Sequence, residues 1–410
     1  MITVIFLLVV LSYYILFFIR LRKPPVEKRF ESITVIIPAH NEERFISKTL
    51  DHVLAAQFKG KKQVIVVDDG STDSTSKIVQ PYMKRGVMLI TQEHSGKAAS
   101  LNNALKLAKG QLIAVVDGDS YIHKDSIKEM AKEVSRKGVI GSSCVVKVRN
   151  RKSHICMWYH LEQLYNSIIR LLFSKVNANI VTPGPLSVYR KTELLEAGGF
   201  STEGFSEDID VTIRLIRKGY RIGFAEKAIT ETNMPHDPKG IWRQRTRFAR
   251  GMINIFKRHL GMTRKFIDVY TLPLFVFAYI QAVIMGAFTV YQVVSGYFTY
   301  YASQGVYFSF AVVKFLLGWF SMVGVVSWVG QILAGQVPLT FVSAAGLVAA
   351  LLSYPMYIYA IFRLDRRIDL YHIIPFFFLP LFWLFIMMIY IISLPEVFRQ
   401  HQRNIWKKNE

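Results

Sequence analysis

Cysteine is almost absent from this 410-residue chain, and charged residues are also scarce. The chain contains two cysteines, Cys144 and Cys156. So few thiols exclude a disulfide framework and a cysteine-rich metal site. Charged residues make up 20% of the chain and hydrophobic residues 51%, whereas soluble domains carry about 25% charged residues. This balance excludes a disordered chain and a protein that is water-soluble throughout.

Acidic residues are the scarcer of the two charge classes. The chain has 29 Asp and Glu against 51 Lys and Arg, which gives a formal net charge of +22. An excess of this size attracts nucleic acid, anionic lipid or phosphorylated ligands. No helix-turn-helix pattern and no sheet motif with interleaved aromatic and basic residues accompanies the charge, so nucleic acid is not expected as a partner.

Long apolar runs lie at both ends of the chain. The first, Ile2–Ile19, is followed by basic residues and lacks a small-residue cleavage site, which favours a retained anchor over a signal peptide. The others are Thr271–Phe298, Val306–Leu333, Val337–Phe362 and Ile373–Pro395. Crossing a bilayer takes about 20 apolar residues. The sequence therefore predicts about five transmembrane helices and a lipid bilayer as partner.

The positive-inside rule assigns the segment after the first run to the cytoplasm. The predicted division is a transmembrane helix at 1–20, a cytoplasmic domain at 21–250, an amphipathic interface helix at 251–270, a four-span transmembrane region at 271–398 and a basic cytoplasmic tail at 399–410. The expected location is the cell membrane, with several passes and the large domain in the cytoplasm.

One loop disagrees with five full crossings. Arg363, Arg366 and Arg367 would then face outward, against the positive-inside rule. Either this loop is paired with Asp365 and Asp369, or one apolar segment does not fully cross.

The region between the apolar ends has the pattern of an α/β domain. Short β-branched runs such as Ile33–Ile37 and Val64–Val67 alternate with helical stretches, which predicts a doubly wound sheet. Ligands of such sheets bind beyond the carboxyl ends of the strands. Two acidic clusters occur at those ends, Asp68-Asp69 and, after Leu112–Val116, Asp117-Gly118-Asp119. An Asp-x-Asp pair can hold a divalent cation against diphosphate oxygens, although alone it also fits a calcium loop or a plain turn.

Motifs in a fixed order resemble those of family-2 glycosyltransferases with a GT-A fold. The segments that resemble their nucleotide-sugar half are Pro38–Glu42, Val67–Asp73, His94–Ala98 and Asp117–Asp119. Ser206–Asp210 resembles their catalytic-base motif. Gln244–Phe248 resembles the Gln-x-x-Arg-Trp signature of the membrane-embedded synthases of cellulose, chitin, hyaluronan and poly-N-acetylglucosamine. The resemblance covers about residues 30–255.

The resemblance implies a UDP-sugar donor, with N-acetylglucosamine as the first expectation for the sugar. Asp68 or Asp69 would accept a hydrogen bond from the uracil. The residues implied for the nucleotide-sugar site are Pro38, Ala39, Asn41, Glu42, Asp68, Asp69, Lys97 and Asp117. Asp119, helped by Asp117, would bind Mg²⁺ or Mn²⁺.

The same resemblance implies an inverting, single-displacement reaction in which Asp208 takes the proton of the acceptor hydroxyl. Arg247 would reach the diphosphate, and Gln244 would hydrogen-bond to donor or acceptor. Phe248 stands where the family usually has Trp and keeps an aromatic face for a sugar. The residues implied for the acceptor site are Gly184, Pro185, Glu207 and Phe248. Asp210 is expected to cap the helix that follows.

The acceptor implied by the resemblance is a growing polysaccharide that is threaded through the membrane helices. A single transfer to a polyprenyl phosphate or glycolipid stays open as an alternative. A transporter or membrane scaffold with a regulatory α/β domain is a further alternative, but it leaves the acidic strand ends unexplained. Two segments have amphipathic patterns: Trp158–Phe173, which fits core packing or a lipid interface equally, and Met252–Phe266, which favours an interface.

Overall fold

An eight-stranded sheet forms the centre of the described part of the chain. The computed structural model describes residues 2–20, 22–261, 263–338, 340–365 and 368–398. Its strands are β1 (Ser32–Ala39), β2 (Lys61–Asp69), β3 (Val87–Gln92), β4 (Leu112–Val115), β5 (Ser120–Ile122), β6 (Val139–Val148), β7 (Ser187–Arg190) and β8 (Arg221–Thr232). They follow the spatial order β3-β2-β1-β4-β7-β6-β8-β5. The strands β1 to β4 are parallel, and β7 joins β4 in the antiparallel direction.

The parallel strands are buried on both faces. In β1, Ile33, Val35 and Ile37 belong to one apolar cluster. Ile36, which points to the other face, belongs to a second cluster with Ile65 of β2. Two covered faces explain why these strands read as unbroken β-branched runs. The predicted doubly wound α/β domain is confirmed.

Helices cover both faces of the sheet and build its connection to the apolar ends. In chain order they are α1 (Ile2–Phe18), α2 (Ile46–Ala55), α3 (Thr75–Met83), α4 (Lys97–Leu107), α5 (Ser126–Val134), α6 (His154–Lys175), α7 (Lys191–Glu196), α8 (Glu207–Arg217) and α9 (Pro238–His259). Helix α9 begins at an Asp237 cap that accepts a hydrogen bond from Gly240 N at 2.8 Å. It crosses residue 250, so the predicted boundary between the soluble domain and an interface helix falls inside one continuous helix.

The apolar C-terminal part is helical. Its helices are α10 (Leu272–Tyr300), α11 (Phe310–Phe320), α12 (Met322–Leu333), α13 (Phe341–Ala360), α14 (Leu370–Phe377) and α15 (Leu379–Ser393). Within the described residues, the helical stretches Ile267–Gln304 and Ala344–Asp365 are long and apolar enough to span a membrane. Thr3–Phe18 is a shorter apolar helix. The predicted tail at 399–410 lies outside the described residues.

Two of the predicted spans are bent pairs of helices. The axes of α11 and α12 meet at 88°, and those of α14 and α15 at 63°. At the first bend, a Cβ on Gly324 would overlap the carbonyl oxygen of Gly318, so the close approach requires glycine at position 324. If each bent pair is one span, up to four described helical units are long enough to cross, and the five-span topology stays a prediction.

Helix α6 packs between the sheet and the apolar C-terminal helices. Trp158 Nε1 donates to the Pro375 carbonyl at 2.9 Å. The rings of Tyr165 and Tyr357 stack at a centroid distance of 4.3 Å. Leu161 and Ile168 are buried in the cluster that also holds residues of α1, α13 and α15. Of the two alternatives for this segment, the structure favours core packing.

The basic loop after α13 contacts the α/β domain. Arg363 pairs with Glu226 at 2.5 Å. Asp365 Oδ1 lies 2.8 Å from Lys147 Nζ, and Asp365 Oδ2 lies 2.8 Å from Arg151 Nη1. The loop therefore packs directly on the α/β domain. This placement agrees with the alternative in which one apolar segment does not fully cross. The predicted pairing within the loop is not seen among the described residues, because Arg363 pairs with Glu226 and Asp365 with Lys147 and Arg151. Arg366 and Arg367 lie outside the described residues.

Candidate active site

A cleft of about 340 Å³ opens where β1 and β4 end. Its walls come from these strand ends, the end of β8, the loop before β7 and helices α6, α8 and α9. Most of the predicted site residues line it: Pro38, Ala39, Glu42, Asp69, Lys97, Asp117, Asp119, Gly184, Pro185, Glu207, Asp208, Gln244, Arg247 and Phe248. Residues that are far apart in sequence are thus brought to one cavity, at the sheet edge where doubly wound folds bind ligands.

Lys97 connects two acidic walls of the cleft. Its Nζ lies 2.6 Å from Asp117 Oδ1 and 3.3 Å from Glu207 Oε1. Burial disfavours the ammonium, but the carboxylates of Asp117 and Glu207 together hold the Lys97 pKa above its ordinary value. The backbone of Gly184 closes over this pair, because a Cβ there would lie 2.6 Å from Lys97 Nζ and 2.7 Å from Asp117 Oδ2.

Asp208 is held in the first turn of α8. Its Oδ1 accepts the Ile209 N–H at 2.9 Å, and its carbonyl accepts the Thr212 hydroxyl at 2.6 Å. Burial and then the adjacent Glu207 carboxylate raise the pKa of Asp208 to about 7, against the opposing effect of Lys97. A carboxylate with that pKa can take and release a proton near neutral pH.

Asp119 is the acidic residue at the cleft that fits a divalent cation. Its carbonyl accepts from Asn233 Nδ2 at 3.2 Å, and the Ser120 hydroxyl lies 3.4 Å from its Oδ1. Asp117 is ion-paired with Lys97. Mg²⁺ is usually bound through one or two carboxylates together with substrate phosphates, so the residues present fit a cation held chiefly by Asp119.

Asp69 is tied to its own chain. Its Oδ1 accepts from Ser95 N at 2.9 Å and Gln92 Nε2 at 2.7 Å. Its Oδ2 accepts from Gly96 N at 2.9 Å and lies 2.9 Å from His94 Nδ1. These bonds fix the turn that leads into α4 and thereby place Lys97. The predicted contact of Asp69 with uracil stays a prediction.

Asp68 and Asn41 do not line the cleft. Asp68 accepts from Ser71 N at 2.9 Å and from the Ser76 hydroxyl. Asn41 has a φ of 54° and accepts from Thr72 N at 2.8 Å. Asn41 thus joins the loop after β1 to the loop after β2, whereas Asp68 connects the loop after β2 to helix α3.

Glu42 and Gly118 meet at the floor of the cleft. Glu42 is buried, and its N–H donates to the Thr75 hydroxyl at 2.8 Å. A Cβ on Gly118 would lie 2.9 Å from Glu42 Cγ. The glycine between the two aspartates is therefore required by close packing against Glu42.

Helix α9 carries the aromatic and basic wall. Gln244, Arg247 and Phe248 line the cleft. Arg245, inside the same motif, points the other way, where its Nη1 lies 2.8 Å from Glu162 Oε1 and its Nε donates to the Tyr159 hydroxyl at 3.1 Å. This buried pair attaches α9 to α6 and so orients the motif. The sequence pattern did not single out Arg245.

Asp210 does not cap α8, so that expectation was wrong. The N-cap residue is Ser206. Asp210 is buried and ion-paired, with Oδ1 at 2.9 Å from His259 Nε2 and Oδ2 at 2.7 Å from Arg214 Nε. It joins α8 to the end of α9, which fixes Asp208 and Arg247 on neighbouring walls.

Sequence reasoning also missed three polar residues of α6 that line the cleft, Gln163, Asn166 and Arg170. They follow the spacing i, i+3, i+7 on a helix whose other positions are mostly apolar. Such spacing places side chains on one helix face, and this pattern was the signal that could have found them.

Comparisons with known proteins agree with this geometry. Residues 34–194 match the family model described as Glycosyl transferase family 2. Two curated relatives are poly-beta-1,6-N-acetyl-D-glucosamine synthases. The Staphylococcus aureus protein is 28% identical over 251 residues, 60% of this chain and 60% of its own length. The Staphylococcus epidermidis protein is 26% identical over 244 residues, 58% of each chain.

A solved structure matches nearly the whole chain. It is a mannosyltransferase from Pyrobaculum calidifontis in complex with GDP-Man and Mn²⁺, 20% identical, with a TM-score of 0.63 over 98% of this chain and 95% of that chain. At this identity the likeness shows the fold. The curated relatives are matched over about 60% of their length. The predicted GT-A fold, joined to a helical region with candidate membrane helices, is confirmed.

Proposed function

We propose that this chain transfers a sugar from a UDP-sugar to an acceptor at the membrane surface, because residues 34–194 match the family model described as Glycosyl transferase family 2. The observation that carries the proposal is that Asp119, Asp208 and Arg247 line one cleft. A cation site, a proton acceptor and a guanidinium are the groups that an inverting transfer needs. A transporter or scaffold needs no such arrangement.

The donor is proposed to lie along the ends of β1 and β4. Asp119 would hold Mg²⁺ or Mn²⁺, which when bound neutralises charge on the diphosphate leaving group. Lys97 holds Asp117 in place and offsets part of the negative charge of the acidic walls. Arg247 adds a guanidinium fork, which suits phosphate oxygens.

The proton-transfer step is assigned to Asp208. The acceptor hydroxyl attacks the anomeric carbon from the face opposite to UDP, and its proton passes to the Asp208 carboxylate. A pKa of about 7 keeps a large part of this carboxylate ionised at neutral pH. Gln244 and the aromatic face of Phe248, both on the cleft wall, would orient the sugars.

The proposed acceptor of the leading hypothesis is a growing polysaccharide, with N-acetylglucosamine as the transferred sugar. Support comes from the two curated synthases, which are named for a polymer of N-acetylglucosamine. Helices long enough to cross a membrane adjoin the domain, so the product could be passed to the other side. The proposed location is the cell membrane, with the catalytic domain in the cytoplasm.

The test is a transfer assay with the purified chain. Labelled UDP-N-acetylglucosamine and a panel of other UDP-sugars are supplied with Mn²⁺ or Mg²⁺, and product size is measured. A labelled polymer supports the synthase, and a single-sugar lipid supports the alternative of one transfer to a polyprenyl phosphate or glycolipid. Absence of both transfer and donor hydrolysis with every UDP-sugar contradicts the proposal.

A further inference from the structure

The ammonium of Lys97 lies between carboxylates of two different motifs in the cleft. Its Nζ is 2.6 Å from Oδ1 of Asp117, which belongs to the Asp-Gly-Asp segment after β4, and 3.3 Å from Oε1 of Glu207, the neighbour of the proposed base. The three side chains are 8% to 26% exposed, so salt screens these contacts less than contacts at the surface. One positive charge is thus shared by the donor side and the acceptor side of the cleft.

The Asp117 carboxylate is enclosed at both of its oxygens. Lys97 occupies the approach to Oδ1, and the backbone of Gly184 lies against Oδ2, because a Cβ at Gly184 would be 2.7 Å from that atom. An ammonium at hydrogen-bond distance takes up the oxygen that a divalent cation needs as a ligand, and its charge repels that cation. Asp117 can therefore serve as a cation ligand only after Lys97 has left it.

Lys97 can leave Asp117 without becoming an unpaired buried charge. A lysine carries a compact charge on a flexible four-carbon stem, and it binds phosphate as a point charge. Glu207 remains as its second partner. Lys97, Asp117 and Asp119 line the same cleft, so a diphosphate that binds there with its cation brings new acceptors to the ammonium and a new positive charge to Asp117.

We propose that Lys97 competes with the divalent cation for Asp117 and so makes cation binding depend on the nucleotide. Without nucleotide, Lys97 holds Asp117 and weakens cation binding. With nucleotide, Lys97 turns to the diphosphate and to Glu207, and Asp117 joins Asp119 as a cation ligand. The exchange involves ion pairs and hydrogen bonds, and no covalent bond changes. This inference rests on the proposed function and concerns the order in which cation and donor bind.

Removal of the ammonium separates this proposal from two simpler roles of Lys97. If Lys97 only braced the loops around Asp117, its loss would weaken cation binding or leave it unchanged. If Lys97 only bound the diphosphate, its loss would change nucleotide binding and leave the binding of the cation alone unaltered. Competition predicts a gain in cation affinity, which neither of these roles produces.

The experiment measures Mn²⁺ binding by the full chain in detergent, in the absence of UDP. The signal of free Mn²⁺ in electron paramagnetic resonance gives the Kd and requires no catalysis. Lys97→Met keeps a side chain of similar length but removes the charge. It is expected to lower the Kd about 10- to 100-fold, the equivalent of a hydrogen bond to a charged group. Lys97→Arg, which keeps the charge, should not gain affinity.

A matched control separates competition from the general loss of a positive charge. Lys106 lies on the same helix, α4, and is exposed. Lys106→Met therefore removes one charge from the same element and should leave the Kd for Mn²⁺ unchanged. The double variant Lys97→Met/Asp117→Asn should lose the gain, because the carboxylate that Lys97 had occupied is then absent.

Asp117→Asn provides a second test, in which Lys97 is retained. Without UDP, this variant should bind Mn²⁺ about as tightly as the unmodified protein, because Lys97 already withholds Asp117 from the cation. With UDP, its Kd for Mn²⁺ should be about 10-fold higher than that of the unmodified protein. A loss of equal size with and without UDP overturns the exchange.

The outcomes separate this inference from the proposed function. A folded Lys97→Met with an unchanged or higher Kd overturns the competition, and so does a gain that the double variant retains. Transfer by the unmodified protein then leaves the proposed function standing. No consumption of any UDP-sugar overturns the proposed function, whatever the Mn²⁺ affinities are. If Lys97→Met does not fold, the comparison of Asp117→Asn with and without UDP decides.

Discussion

Lys97 Nζ and Asp117 Oδ1 lie 2.6 Å apart in the cleft. Both acids of the Asp-Gly-Asp motif line the cleft, and the first of them is ion-paired with Lys97. The two aspartates, which look equivalent in the sequence, have different surroundings. The cation is therefore expected to depend on one of them more than on the other.

The first prediction concerns this difference. Asp119→Asn should raise the Mn²⁺ concentration for half-maximal transfer more than Asp117→Asn does, because Asp119 is the proposed ligand. Chelation should abolish transfer in the unmodified protein, and added Mn²⁺ should restore it. The melting temperature in the presence of UDP and Mn²⁺ gives a second readout, since a bound ligand stabilises the folded state. A larger effect of Asp117→Asn on Mn²⁺ affinity would refute the assignment.

The second prediction concerns the glycine that covers the ion pair. In Gly184→Ala the new Cβ would lie 2.6 Å from Lys97 Nζ and 2.7 Å from Asp117 Oδ2, too close for van der Waals contact, so the pair must separate or the loop must move. We expect transfer to fall at least about 10-fold, since small displacements at catalytic groups can cost up to about 100-fold. Steady-state kinetics would measure the change.

Gly330→Ala is the matched control for this substitution. A Cβ at Gly330, in the helix α12, meets no atom within 4 Å, and alanine is the better helix former by about 1 kcal/mol. This variant should keep full activity. If both variants behave alike, close packing at Gly184 is not what the activity depends on.

The third prediction concerns the pH dependence of transfer. The pKa of Asp208 is raised to about 7 by burial and by Glu207, and the base must be ionised to accept a proton. Activity should therefore fall as pH decreases through about 7. Asp208→Asn should lose about 10²- to 10⁴-fold in kcat, the range typical of general-base catalysis, together with this acidic limb.

The raised pKa of Asp208 also affects stability: activity rises with pH through about 7, whereas the stability of the folded state falls. Below the ordinary carboxyl pKa, Asp208 is protonated in both the folded and unfolded states. Between that value and about 7 the folded state binds the extra proton, so its stability falls as pH rises across this window. Asp208→Asn should flatten this dependence in thermal unfolding measured from pH 4 to 8. An unchanged profile would show that Asp208 does not titrate near neutrality.

Local patterns in the sequence were sufficient for much of the fold and of the cleft. The runs around Ile36 and Ile65 are buried on both faces, and their short length, their β-branched residues and the turn residues that follow them identify such strands. Asp119 follows the end of strand β4, and Asp208 lies in the first turn of helix α8. The placement of each therefore follows from residues next to it in the sequence. The bend between α11 and α12 was not predicted, because it depends on the contact of Gly324 with Gly318.

Residues whose roles depend on distant partners were not predictable in this way. Asp210 looked like a helix cap, but its partner His259 lies 49 residues away. Arg245 occupies a position of the Gln-x-x-Arg motif at which any residue is allowed. Its role in attaching α9 to α6 depends on its ion pair with Glu162. Arg170 lies in the cleft with Asp208 but forms no ion pair among the described residues, and such a relationship between distant residues cannot be predicted from sequence.

The last prediction concerns the attachment of the loop after α13 to the α/β domain. Asp365 accepts from Lys147 Nζ and Arg151 Nη1, both at 2.8 Å, and lies 3.1 Å from His160 Nε2 and 2.9 Å from His372 Nε2. These two histidines and Asp365 place their donor atoms within 4.8 Å of one another, a spacing that also suits a metal. The two cations already neutralise Asp365, however, which favours an ion-pair network.

Asp365→Asn would leave Lys147 and Arg151 without their acid. Breaking a buried ion pair by removing one partner costs about 3–5 kcal/mol, and about 2–4 °C of melting temperature accompanies each kcal/mol in a domain of about 150–250 residues. We therefore expect the melting temperature in detergent to fall by at least about 5 °C, and trypsin to cut the chain after Arg363 more rapidly.

The control is Asp125→Asn, which removes a carboxylate that forms an exposed pair with Lys128 at 3.7 Å. It should change neither the melting temperature nor the rate of cleavage. If Asp365→Asn melts like the unmodified protein, or if Zn²⁺ raises the melting temperature of the unmodified protein but not of this variant, the cluster is not the ion-pair attachment inferred from its geometry.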